Sequence, residues 1–121
     1  MNSKFRNIAG WVLSALVLLL MGASAIDKIS ASAHSLEMTA SFGISVADYR
    51  LLGVLELGSA LLFVIPRSMM VGLLLLSSYL GGAIATHLQH EQSMLFPAAI
   101  EALVWVTAVV RYPKLLKRAD L

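Results

Sequence analysis

Apolar and polar positions alternate along this chain in long blocks rather than in short periods. A charge-free apolar run extends from Ile8 to Ile26, and a second begins near Leu51 and ends at Ile65, broken by Glu56 alone. A third runs from Ser68 to about Leu88, and a fourth covers Leu95 to Val110, broken by Glu101 alone. A helix that crosses a bilayer needs roughly 20 mostly apolar residues. The first and third runs supply that length directly, and the other two reach it with flanking residues such as Asp48 to Arg50 and Arg111 to Tyr112. Backbone groups in hydrocarbon must bond within their own segment, so the blocks predict helices. The expected fold is an all-α integral membrane four-helix bundle, one domain over 1–121, with spans at about 8–27, 48–65, 68–88 and 95–112.

Between the first two runs lies a Ser- and Ala-rich stretch from Ser30 to Ala47. Its apolar residues are too few to cross, so it predicts a short amphipathic or re-entrant segment at the membrane interface. Pro66 closes the second run and leaves a turn of a few residues, which makes runs two and three an antiparallel pair. Pro97 falls in the first turn of the last helix, where a missing N–H costs little, and Pro113 ends it.

Composition agrees with lipid as the solvent: 59% of residues are hydrophobic and 13% charged, against about 25% charged in soluble domains. Charge then sets the orientation. With the amino terminus inside, Lys4, Arg6, Arg67, Arg111, Lys114, Lys117 and Arg118 flank the spans on the cytoplasmic side, and only Lys28 and Arg50 lie outside. Seven against two follows the positive-inside rule and predicts both termini in the cytoplasm of a multi-pass membrane protein. Asp27, Glu37, Asp48 and Glu91 fall outside. The first 25 residues also carry signal-peptide features, with Ala23-Ser24-Ala25 in the cleavage position; the length of the apolar run favours a retained span. The net charge of +2 does not point to nucleic acid, because the basic residues sit in short flanks rather than on a polar face. Cysteine is absent, which excludes disulfides, thiol catalysis and cysteine-ligated metal.

Chemistry is concentrated in a few intramembrane polar residues. Charges in hydrocarbon are costly and need a reason, and Glu56 and Glu101 are the two within the runs. Each lies some six residues past the outer end of its helix, roughly 9 Å deep at the helical rise. Both carboxyls are therefore expected in one layer. Tyr79, Thr86 and His87 share a face of the third helix with Ala83, and Glu101 and Trp105 share one on the fourth. Glu56, Tyr79, Thr86, His87, Glu101 and Trp105 are thus the expected ligand-binding wall of an outer-leaflet pocket. Gly53, Gly81 and Gly82 are expected at helix packing contacts. Structural hydrogen bonding and proton or ligand handling are both open to the glutamates. His87 and His90 with Glu91 make a weak metal pattern, with His34 far off in sequence, and no metal is expected. No nucleotide loop or nucleophile motif is present.

Leu52-Gly53-Val54-Leu55-Glu56-Leu57, Ile65-Pro66-Arg67, Gly72 and Tyr79-Leu80-Gly81-Gly82-Ala83-Ile84-Ala85-Thr86-His87-Leu88 resemble the DoxX-like family of small bacterial membrane proteins. Asp27-Lys28 and the Trp105 to Pro113 ending extend the resemblance over most of the chain. It implies a compact four-helix membrane bundle, with Glu56 and His87 as motif positions; Glu101 is proposed on depth alone. The wider family includes a subunit of a thiosulfate:quinone oxidoreductase, members tied to oxidative-stress complexes, and a eukaryotic branch of receptor-assembly chaperones. Two expectations follow. One is an accessory subunit that binds a lipophilic molecule such as a quinone, with no intrinsic cofactor and a redox partner to carry electrons. The other is an assembly factor that engages a partner transmembrane helix. Homo-oligomerisation and any catalysis stay undecided at this stage.

Overall fold

The computed structural model describes residues 2–118, which are mostly helical, with no strand among them. Helix α1 spans Ser3–Ile29, α2 Ala33–Phe42, α3 Val46–Val64, α4 Met69–Gln89, α5 Leu95–Arg111 and α6 Lys114–Arg118, with a 3-10 turn at Pro66–Ser68. Side-chain caps set several starts. Asn2 Oδ1 accepts from the Lys4 and Phe5 amides, Ser32 Oγ from Ser35, and Ser45 Oγ from Asp48. Gly43, at φ +68°, ends α2 in the left-handed conformation that glycine adopts without steric cost.

The four long helices pack in a ring, with α1 against α3 and α5, and α4 against α3 and α5. Neighbours run antiparallel: the end of α1 (Ala25 to Ile29) meets Gly53, whereas Ser14 shares Arg111 with Phe63. The ring thus has a terminal end, holding the start of α1, the Pro66 turn and the end of α5. Its loop end holds the close of α1, then α2 and the start of α3. The core is formed by Val17, Met21, Ala60, Phe63, Met69, Leu73, Leu76, Leu80, Ile100, Val104 and Ala108. Outside it, every long helix exposes large apolar side chains, among them Leu19, Val54, Leu74 and Val106.

Helix α1 and the helical stretch 66–89 are each long and apolar enough to cross a membrane. Only 28% of each apolar window is buried inside the protein, unlike the core helix of a soluble domain. Helix α3 carries Asp48, Arg50 and Glu56 within 19 residues, and α5 is 17 residues long.

The glycines expected at packing contacts divide. A Cβ on Gly53 would come within 2.9 Å of Ala25 O, so α1 and α3 need a glycine there. Gly81 and Gly82 have nothing within 4 Å of such a Cβ and are not close-approach points. That role falls to Gly72, whose Cβ would lie 2.1 Å from Phe63 N.

The terminal end is closed by Arg111. Pro66 cannot donate to Leu62 O, the carbonyl four residues back, and the Ser68 hydroxyl does so instead at 2.9 Å. The next two carbonyls of α3 accept from Arg111: Phe63 O from Nη1 at 2.7 Å and Val64 O from Nη2 at 3.1 Å. Nη1 also donates to Ser14 Oγ, and the guanidinium lies 5.8 Å from the Trp11 ring and 5.7 Å from the Phe63 ring. Arg111, read from sequence as a flanking charge, is therefore a half-buried clamp between α1, α3 and α5.

Candidate functional site: a cavity at the loop end

The loop end holds the larger opening of the molecule's two ends. A cavity of about 840 Å³ lies there, lined mainly by apolar atoms of α1, α2, α3 and α4. Leu20, Leu52, Leu55 and Leu75 form its apolar wall, and Lys28, Tyr49, Tyr79, Thr86 and His87 bring polar atoms to it.

Behind this polar wall lies Glu56, with 2% of its side chain exposed. Lys28 Nζ donates to Glu56 Oε1 at 3.1 Å and to Ser24 Oγ at 2.7 Å. Tyr79 OH donates to the same Oε1 at 3.2 Å. The ammonium also lies 5.4 Å from the Tyr49 ring centroid and 5.9 Å from that of Tyr79, within cation–π range. A buried carboxylate is tolerable only when paired and hydrogen-bonded. Here α1 supplies the cation and α4 the phenol. An ammonium carries three N–H groups, so one remains after Ser24 and Glu56 are served.

His87 Nδ1 donates to Ala83 O at 2.6 Å, which leaves Nε2 as its second polar atom. Its ring packs edge-on against Phe42 of α2 at 5.1 Å, as does His90 at 5.6 Å. Thr86 Oγ1 donates to Gly82 O and presents only lone pairs elsewhere. Helix α2, the stretch expected at the interface, contributes His34, Met38 and Phe42 to the cavity and forms its cover. It is tied down by His34 Nδ1 to Asp27 Oδ2 at 2.8 Å, by a short Ser32 to Asp27 hydrogen bond, and by Gln92 to Ser41.

The residues expected to line one pocket separate into two groups. Glu56, Tyr79, Thr86 and His87 lie at or directly behind the cavity wall. Glu101 and Trp105 are not among its lining residues. Glu101 sits beside Ser77 of α4, and residues 77 and 79 project about 200° apart around a helix. The two acids are therefore close in depth but on opposite sides of α4. Among the described residues, Glu101 Oε1 and Ser77 Oγ are both buried without a hydrogen-bond partner, and Trp105 is 41% exposed.

Lys28 is the site residue that sequence reasoning missed. A lysine just beyond an apolar run reads as an orientation charge, and the available signal was small residues at Ala25 and Gly53, which bring α1 against α3. Asp48 and Arg50 are exposed and form no ion pair with each other. Among the described residues, no group of three or more His, Asp or Glu is placed to hold a metal ion.

Long apolar helices around a partly polar cavity fit a small membrane protein. The DoxX-like family model matches residues 12–107, and the chain belongs to that family. No curated protein and no solved structure matches it.

Proposed function

We propose that this is a four-span protein of the bacterial inner membrane, with both termini cytoplasmic, whose loop-end cavity binds a lipophilic small molecule. A quinone is the ligand class that suits it, and the role is that of an accessory or binding subunit of a membrane redox assembly. The observation that carries this reading is the cavity itself. Its volume of about 840 Å³ falls in the usual range for small-molecule sites, roughly 300–1,000 Å³, and Lys28 and Tyr79 stand at one wall of an otherwise apolar space.

Support for four spans comes from the exposed apolar side chains on all four long helices, since soluble proteins rarely expose contiguous apolar surface on this scale. The basic residues at the terminal end support a cytoplasmic position for that end under the positive-inside rule, and the cavity would then open in the outer leaflet. Lys28 would donate its remaining N–H to a ligand carbonyl, with Glu56 and Tyr79 holding the ammonium and a proton nearby. On this reading the electrons would come from a partner protein.

The test is quinone titration of the purified protein, Lys28→Met and Glu56→Gln, read by native mass spectrometry. Loss of one charge-assisted hydrogen bond should weaken binding about tenfold in Lys28→Met. Absence of binding to the wild type overturns the reading, and equal binding to all three proteins overturns the role given to Lys28.

A second reading rests on Glu101. Its partnerless carboxyl oxygen beside Ser77, near an outward Trp105, suits an assembly factor that receives a polar group from a partner transmembrane helix. Crosslinking through position 105 should capture a partner in the wild type and lose it in Glu101→Gln.

A further inference from the structure

A second recess, of about 210 Å³, opens at the terminal end, remote from the cavity described above. Arg6, Asn7 and Trp11 of α1 form one side of it, and Arg111 and Tyr112 at the close of α5 form the other. Four features of this recess point the same way.

The first is charge. Two arginines line one small space, and neither forms an ion pair among the described residues. Lys4, Arg67, Lys114 and Lys117 add cations at the same end, whereas every described acid lies in α2, in the interhelical loops or in other parts of the long helices. The second is unused donors. Arg111 has three N–H contacts to Phe63 O, Val64 O and Ser14 Oγ, and a guanidinium carries five. Arg6 has no side-chain hydrogen bond among the described residues, and Asn7 adds a neutral donor. The third is rigidity: the contacts to α3 and the Trp11 and Tyr112 rings at 5.8 Å fix Arg111 in place. A donor held this way loses little freedom when it binds an anion. The fourth is depth. Trp and Tyr beside basic residues at the ends of apolar helices mark the headgroup level of a bilayer, and Phe5 and Ile8 expose apolar surface next to the recess.

From these features we infer that the recess between α1 and α5 binds the phosphate of an anionic phospholipid, with Arg6 and Arg111 as the phosphate donors and the acyl chains lying along α1. Basic pockets between transmembrane helices on the cytoplasmic side take such headgroups. A tetrahedral oxyanion also suits a recess lined by two arginines better than a planar apolar ligand would. The site is independent of the loop-end cavity, so failure of quinone binding leaves it untouched.

The experiment is native mass spectrometry of the detergent-purified full chain titrated with phosphatidylglycerol or phosphatidylcholine of the same acyl composition. The two lipids share a phosphate but differ in net charge. Arg6→Gln is compared with Arg67→Gln, which removes an equal charge at the same end but outside the recess. Arg6 makes no side-chain hydrogen bond among the described residues, so the variant should fold, and unfolding temperature checks this. Phosphatidylglycerol should be retained in preference to phosphatidylcholine, and Arg6→Gln should lower its retention about fivefold while Arg67→Gln leaves it nearly unchanged. Equal retention of the two lipids, or an equal loss in both variants, overturns the proposal. Displacement of the lipid by millimolar inorganic phosphate overturns it as well, by making the recess a free-phosphate site.

Discussion

Lys28 and Arg111 both leave water, at opposite ends of the same ring of helices, and they are held in contrasting ways. Arg111 is surrounded by neutral acceptors: two backbone carbonyls of α3 and the hydroxyl of Ser14. Its neighbours are close enough that a Cβ on Gly10 would lie 2.9 Å from its Cγ. Lys28 meets a formal opposite charge, Glu56, and stands beside a cavity rather than in packed side chains. A planar fork with five donors can finish a helix terminus. A compact ammonium makes one strong ion pair and keeps a donor in reserve. The terminal end is thus built for closure, and the loop end for access.

The contrast can be broken most sharply at Arg111. Arg111→Met leaves two α3 carbonyls without donors in an apolar setting and should cost about 3–5 kcal/mol, read as thermal unfolding in detergent. Arg111→Lys should recover little of that, since one ammonium cannot span both carbonyls. An intact unfolding temperature in either variant would deny the clamp.

Next in size is Gly72→Ala. The added methyl meets the backbone of α3 rather than a side chain that can swing aside, and about 2–3 kcal/mol is expected. Lys28→Met should cost less, about 2 kcal/mol, because Glu56 can take up a proton and keep the Tyr79 hydrogen bond. The double variant Lys28→Met, Glu56→Leu should regain most of the loss. A double variant less stable than Lys28→Met would mean that Glu56 is held by something other than this pair. The smallest effect has the opposite sign. Gly82→Ala, where a Cβ meets nothing, should gain about 0.5–1 kcal/mol from helix propensity. If the cavity binds the proposed ligand, the same methyl should weaken that binding, since Gly82 lines it.

Residue by residue, the sequence was legible where one solvent decides everything. Helices α1, α3, α4 and α5 lie where the apolar runs fall, because hydrocarbon and helical hydrogen bonding leave a long apolar segment no other choice. Glu56 was legible for the same reason, as a charge that needs a partner. Its partner was not. Lys28 looks like any basic flank until α1 is brought against α3, and Arg111 looks like one until Pro66 leaves α3 with unserved carbonyls. Gly72 and Gly82 are equivalent letters in apolar helices, yet one touches backbone and the other lines open space.

By itself, then, the chain determined its helices, their approximate ends and the presence of costly charges among them, since these depend on the local contest between water and apolar surface. Only the tertiary structure decided that Glu56 faces Lys28 and Tyr79 behind the cavity wall while Glu101 turns to the far side of α4. Which side a residue takes depends on helix rotation, and packing across the whole ring, here the close passages at Gly53 and Gly72, sets that rotation.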